Sequence, residues 1–181
     1  MATVIVENII ASAIIADSLD IKFIAEKIPD FKYTPEEFSG LSIKLDSPKT
    51  AVLILPSGKL ICTGGKNVED VAESIKFVAE KIKKSGIKLK PRTKMIIHNM
   101  IVSTNLNKEL HLSSLSKALM LDHADYEPEK FPGLIYKIDE MQVIILLFSS
   151  GKLVCQGAKT VEDSKKAIEI MKEKLTSVGA L

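Results

Sequence analysis

Ser57-Gly-Lys-Leu-Ile-Cys-Thr-Gly64 recurs, 93 positions further on, as Ser150-Gly-Lys-Leu-Val-Cys-Gln-Gly157. At the same offset Tyr33-Thr-Pro-Glu-Glu-Phe-Ser-Gly-Leu41 returns as Tyr126-Glu-Pro-Glu-Lys-Phe-Pro-Gly-Leu134, and Lys66-Asn-Val-Glu-Asp70 as Lys159-Thr-Val-Glu-Asp163. Upstream, Asn8-Ile-Ile-Ala-Ser12 matches Asn99-Met-Ile-Val-Ser103 at an offset of 91, so the second copy carries two extra residues, placed near Leu121–Ala124. Two copies of this size make a duplicated domain with pseudo-twofold symmetry, where a solenoid would need at least three shorter repeats. Lys90-Pro-Arg-Thr93 is the natural joint, which gives a first repeat over 1–92 and a second over 93–181.

Each copy reads as the same series of elements. A strand opens it (Val4–Ala11; Met95–Val102). Apolar residues at helical spacing follow, Ile21, Ile24 and Ile28 in one copy and Leu112, Leu115 and Leu119 in the other, and Pro29 stops the first of these helices. Apolar strands come next at Leu41–Leu45, Ala51–Leu55 and Leu60–Thr63. Pro56-Ser-Gly-Lys59 and Ser149-Ser-Gly-Lys152 supply hairpin turns. A long amphipathic helix closes the copy. Its stripe in the first repeat is Val68, Val71, Ile75, Val78 and Ile82, with Asn67 as cap and Gly86 as terminator.

Short connections between strands predict an antiparallel sheet. Such a sheet, covered by helices on one side, should alternate apolar and polar residues. Ala51–Leu55 and Val143–Phe148 do not alternate; they are apolar on both faces. Two helices per copy cover one face, which leaves a large apolar surface of the kind that marks a partner site. The pattern alone leaves open a second arrangement, in which the two copies pack face to face and bury it.

Composition narrows the class. At 181 residues, 46% hydrophobic, the chain can build a real core. Thr3-Val-Ile-Val6 follows Met1-Ala2 without a basic region or small-residue cleavage site, and the run Val143–Phe148 is too short to span a bilayer. A soluble protein of the cell interior is expected, in the cytoplasm with the nucleoid or, in a nucleated cell, in the nucleus. The net charge is only +2, and Arg92 is the one arginine among 25 basic residues. Guanine readout in the major groove relies on arginine forks, whereas lysines serve as phosphate contacts. Cys62 and Cys155 make neither a disulfide framework nor a metal site and are expected as small buried residues on the helix-facing side. His98, His111 and His123 lack metal-ligand spacing, Gly64-Gly-Lys66 lacks the spacing of a phosphate loop, and no acid–base or nucleophile set repeats. No enzyme, cofactor or metal is expected.

Over essentially its whole length the sequence resembles the TATA-box-binding proteins, in particular those of archaeal type, which lack an N-terminal extension. The resemblance rests on Glu127-Pro-Glu-Lys-Phe-Pro-Gly-Leu-Ile-Tyr136, on Ser150-Gly-Lys-Leu-Val154 and on the twin Asn/Ser strand motifs, in both repeats and in order. It implies an α+β fold: two repeats forming a curved ten-stranded antiparallel saddle with helices on the convex face. It implies minor-groove binding to A·T-rich promoter DNA, bending of that DNA, and the start of preinitiation-complex assembly. By this resemblance Phe38 and Leu55, then Phe131 and Phe148, are the wedges between base steps, with Leu55 departing from the family phenylalanine. Asn8 and Asn99 bond base edges at the centre, and Ile10, Leu53, Ile61, Ile101, Leu146 and Val154 form the floor. Thr63 keeps a minor-groove hydrogen bond that Gln156 replaces in the second repeat. Lys44, Lys59, Lys137 and Lys152 hold phosphates, and Ser12, Ser39, Ser103 and Pro132 belong to the same surface. The loop with Glu127, Glu129 and Lys130 docks a transcription factor IIB-type protein, through which RNA polymerase is engaged indirectly. Lys130 stands where many relatives are apolar.

Two other readings stand beside this one: a non-catalytic nucleic-acid-binding module of a repair or RNA-processing enzyme, and a ligand-binding protein with a self-buried apolar face. Without the resemblance Asn8 and Asn99 read as strand-edge or turn residues, and Phe38 and Phe131 as core aromatics.

Overall fold

The structure is a computed structural model that describes residues 3–119 and 124–181. The extra residues expected near Leu121–Ala124 lie, apart from Ala124, outside the described residues, as does His123. Ten strands and four α-helices are described: β1 (Ile5–Ile14), α1 (Ile21–Lys27), β2 (Lys32–Tyr33), β3 (Leu41–Asp46), β4 (Lys49–Ile54), β5 (Lys59–Gly65), α2 (Val68–Lys84), β6 (Met95–Asn105), α3 (Leu112–Ala118), β7 (Ala124–Asp125), β8 (Leu134–Ile138), β9 (Val143–Leu147), β10 (Lys152–Ala158) and α4 (Val161–Ser177). The fold is an antiparallel ten-stranded sheet in the order β2-β3-β4-β5-β1-β6-β10-β9-β8-β7. The chain forms two compact units, Asn8–His98 and the residues up to Glu7 with Asn99–Leu181.

The expected elements are present, with longer strands. β1 and β6 run three residues beyond their expected ends, to Ile14 and Asn105. The helices at Ile21 and Leu112 are short; Ile28 and Leu119 serve as their C-caps and are buried. Two-residue strands at Lys32–Tyr33 and Ala124–Asp125, too short to show a period, form the sheet edges. A 3-10 turn at Asp139–Met141 joins β8 to β9, with Gln142 left-handed at its end (φ 53°).

The long helices start and stop as their sequences dictate. Asn67 accepts from Asp70 N through its side chain, and Thr160 does the same for Asp163 N. These caps satisfy amide groups that the first turn leaves without partners. After α2, Gly86 turns left-handed (φ 95°) and its N–H closes on Lys83 O at 3.0 Å.

In the first unit α2 packs on β5 and β4. Its fully buried Val71, Val78 and Ile82 meet a sheet face made by Leu41, Val52, Ile54, Leu60 and Cys62, all at 0% exposure. Pairing brings these positions into register, Val52 with Cys62 and Ile54 with Leu60. In the second unit α4 packs on β10 and β9, and Leu134, Ile145, Leu147, Leu153 and Cys155 form the matching face. Both cysteines therefore face a helix. Cys62 lies beside Thr50 and Ser74, whose hydroxyls bond at 2.8 Å; Cys155 lies beside Ser164. Burial pushes both thiols up, Cys155 to about 11.

Two measurements test this packing. Leu147→Ala, in the helix-covered face, should cost about 2–5 kcal/mol of stability, as deletion of a buried leucine does, while Leu146→Ala, next door but half-exposed, should cost far less. Urea unfolding of both variants decides it; equal losses would mean that β9 does not present two different faces. Cys155 should also make stability depend on alkaline pH. Its thiol stays protonated in the fold while the unfolded chain ionises from its ordinary value of 9.0, so the stability it confers is intact below pH 9 and is lost as pH rises towards 11. Across that window the urea midpoint of the native protein should fall more steeply than that of Cys155→Ala.

Candidate nucleic-acid interface

Each unit has a second sheet face, opposite the one on which its long helix packs. Strand alternation sends every residue between two buried ones to this side. In the first unit Ser12 pairs with Ile61, Ile61 with Leu53 and Leu53 with Ser42; a parallel row holds Thr63, Ala51 and Lys44. In the second unit Ser103 pairs with Val154, Val154 with Leu146 and Leu146 with Ile135, and the next row is Ile101, Gln156, Ile144 and Lys137. Ile10, Leu53, Ile61, Ile101, Leu146 and Val154 are all half-exposed. Apolar side chains kept partly in water on both open faces are the apolar surface that the non-alternating strands imply.

Polar groups enter these faces at defined places. Asn8 Oδ1 accepts from Gly64 N at 2.7 Å, and Asn99 Oδ1 accepts from Gly157 N at the same distance. Both glycines are the extra residues of β-bulges, where the register shifts between Ile9 and Ala11 and between Gln156 and Ala158. Their left-handed φ, 97° and 104°, turns the N–H out of the ladder towards the asparagine, and a Cβ on Gly157 would sit 2.6 Å from Gln142 O. A backbone N–H can only donate, so each asparagine oxygen is the acceptor and each NH2 is the donor end of the side chain. At Asn8, Thr63 Oγ1 lies 3.2 Å from Nδ2. At Asn99 the corresponding residue is Gln156.

Ser12 and Ser103 are on the same strands but only 3% and 4% exposed. Ser12 Oγ lies 2.6 Å from His98 Nε2, and Ser103 Oγ donates to Glu7 Oε1 at 2.6 Å. Both hydroxyls are thus engaged within the protein.

The aromatic residues sit at turns. Phe38 N and Glu37 N both bond Thr34 O, and Phe131 N and Lys130 N both bond Glu127 O, so the two turns are built alike. Gly133 has no Cβ to keep aromatic rings away: a Cβ there would lie 2.7 Å from Phe131 and 3.2 Å from Phe148. Those two rings meet edge to face, centroids 5.8 Å apart. Phe38 covers Gly40 in the same way, while Leu55 stands at the position of Phe148. Lys44, Lys137 and Lys152 are exposed and Lys59 is half-exposed. Ser39 and Pro132 are exposed on the turns, as are Glu127, Glu129 and Lys130, with Lys130 Nζ 2.5 Å from Glu127 Oε2.

The family model of transcription factor TFIID, or TATA-binding protein, matches residues 3–85 and 94–178, once for each repeat. The chain belongs to the TATA-binding protein family. The TATA-box-binding protein of Thermoplasma acidophilum is 42% identical over 176 residues, 97% of this chain and 96% of the relative. That of Archaeoglobus fulgidus is 38% identical with the same coverage. The solved structure of Methanococcus jannaschii TBP superimposes with a TM-score of 0.87 at 36% identity, covering 96% of this chain and 98% of that one. The TATA-binding proteins are DNA-binding transcription factors and not enzymes. Among the described residues no helix is long and apolar enough to cross a membrane, and no three His, Cys, Asp or Glu side chains are grouped to hold a metal.

The open faces contain four further side chains that the sequence analysis passed over: Ser42, Ala51, Ile135 and Ile144. Counting every second residue outward from Leu53 and Leu146 along paired strands finds them. The bulges were not legible in this way, because each inserts a residue that breaks the count. Asn99→Ala should leave Gly157 N–H without its partner and cost about 1–3 kcal/mol, while Asn99→Asp, which keeps an acceptor, should cost much less. Chemical denaturation of the pair checks this; equal costs would remove the role given to the bulge amide.

Proposed function

We propose that this protein is a general transcription initiation factor that binds the TATA box through the minor groove, bends the promoter and nucleates preinitiation-complex assembly. The observation that carries this reading is the orientation of two asparagine amides, each set by a bulge amide, beside rows of aliphatic side chains on the open faces. A·T pairs present only acceptors in the minor groove, whereas G·C adds a donor that projects into it. Amide N–H groups set among aliphatic side chains complement the first and leave the second unpaired. The names of the relatives support the same reading, since each is a TATA-box-binding protein.

In this mechanism Asn8, Asn99 and Thr63 donate to base edges, and Ile10, Leu53, Ile61, Ile101, Leu146 and Val154 lie against the sugars and base edges of the widened groove. Phe131 with Phe148, and Phe38 with Leu55, press into base steps. Such wedges unstack a step at a cost of a few kcal/mol and are repaid by the extra surface that bent DNA presents. Lys44, Lys59, Lys137 and Lys152 clamp phosphates. Ser12 and Ser103, buried and engaged with His98 and Glu7, support the strands from within this surface. Glu127, Glu129 and Lys130 present a charged loop to a transcription factor IIB-type protein, and polymerase joins through that partner. The archaeal relatives support a site of action on nucleoid DNA in the cytoplasm.

The test is a salt series of affinities on a TATA duplex and on one with G·C at its centre. The native protein should prefer the TATA duplex by about 1–3 kcal/mol for each central substitution. Lys59→Ala and Lys152→Ala should each lower the salt slope by about one unit and weaken both duplexes alike. Asn8→Ala and Asn99→Ala should keep the slope and shrink the preference. Equal affinity of the native protein for both duplexes would overturn the proposal and favour a non-specific nucleic-acid module.

A further inference from the structure

Thr63 and Gln156 hold the same place in the two repeats, 93 residues apart, each one residue before the left-handed glycine of its bulge. Their surroundings differ. Thr63 pairs with the small Ala51, and its hydroxyl is engaged by Asn8: Asn8 Nδ2 donates to Thr63 Oγ1 at 3.2 Å, and Thr63 Oγ1 also lies 3.3 Å from Asn8 Oδ1. Gln156 is half-exposed and pairs with Ile101 on β6 and Ile144 on β9. Its side chain makes no hydrogen bond among the described residues. Neither does Asn99 Nδ2, although Asn99 Oδ1 is held by Gly157 N.

The second unit therefore presents more hydrogen-bonding capacity than A·T readout asks for. An A·T pair shows acceptors only in the minor groove, so an N–H or O–H donor suffices and a carbonyl oxygen aimed at the pair meets no donor. Thr63 fits that demand, with one proton to give and an oxygen already accepting from Asn8. A carboxamide instead carries a donor and an acceptor side by side. The minor-groove edge of guanine is the complement, with N3 as acceptor and the N2 amine as donor. Rotation about the terminal torsion of glutamine is soft, so Gln156 can turn its N–H alone to an A·T pair or both groups to a guanine. G·C is otherwise rejected because its amine is buried without an acceptor. Gln156 supplies that acceptor.

We propose that Gln156 is a specificity-determining residue: within the minor-groove mode described above, on which this rests, it accepts the N2 amine of a guanine. The base pair that it faces is then read as either A·T or G·C, while the pair that faces Thr63 is held to A·T.

The test is a scan along a TATA duplex with the full chain and with Gln156→Thr and Gln156→Leu. Each A·T pair in turn is replaced by G·C, by 2,6-diaminopurine·T, which adds only the amine, and by inosine·C, which lacks it. With the native protein one interior position should tolerate G·C and diaminopurine·T within about twofold. In both variants that position should lose about fivefold or more on those two pairs, the lower end of the cost of a mismatched pair, and stay within about twofold on inosine·C. Affinity for the unmodified duplex should stay within about twofold, which also shows that the variants fold. Coincident scans for the native protein and both variants would overturn the proposal. So would a native scan in which every interior G·C and diaminopurine·T pair is penalised, an outcome that needs no variant. Tolerance of inosine·C and G·C without tolerance of diaminopurine·T would overturn it too, since the amine would not be what is accepted. Equal native affinity for the TATA duplex and for one made wholly of G·C would instead defeat the minor-groove reading itself, and so the two failures are told apart.

Discussion

A strand that is apolar on both faces can be covered by one helix on one face only, and the rest of this protein follows from that constraint. β4 and β9 carry it furthest. On one side Val52, Ile54, Ile145 and Leu147 are fully or almost fully buried beneath α2 and α4. On the other, Leu53 and Leu146 remain half-exposed. The buried side pays for the fold, with each fully buried aliphatic side chain contributing about 1.5–3 kcal/mol. The open side contributes less to stability and is free to be shaped by binding.

That division bears on how the asparagine and serine side chains of these strands are held. A polar side chain on an apolar surface that is later covered must have its hydrogen bonds settled, or its desolvation opposes binding. Asn8 and Asn99 meet this requirement through the bulge glycines, which satisfy each side-chain oxygen inside the protein, and at Asn8 the NH2 group also donates to Thr63 Oγ1. Ser12 and Ser103 meet it differently, by spending their hydroxyls on His98 and Glu7. The same two strand positions are therefore equivalent in the repeat but chemically unlike, with an imidazole in one unit and a carboxylate in the other.

Much of this was legible in the sequence because duplication lets one half check the other. The offsets of 93 and 91 residues place strands, turns and long helices twice, and the caps Asn67 and Thr160 confirm where the helices begin. What escaped was of two kinds. The edge strands Lys32–Tyr33 and Ala124–Asp125 are too short for any period to register. The bulges at Gly64 and Gly157 shift the alternation by one, so a glycine that reads as a loop residue is in fact a donor held at φ near 100°. The burial of Ser12 and Ser103 was hidden for a related reason: it depends on neighbours distant in sequence, 86 and 96 residues away.

The repeat also shows which departures from symmetry carry information. Core positions exchange freely within the apolar class, as Ile54 and Leu147 or Val52 and Ile145 do, because volume and burial are all that the packing asks. Leu55 in place of Phe148, Gln156 in place of Thr63 and His98 in place of Glu7 change shape, hydrogen bonding or charge on surfaces that the core does not constrain. Differences on those faces leave the cores beneath α2 and α4 undisturbed, so the duplicated fold can stay the same while its two halves acquire different surface chemistry.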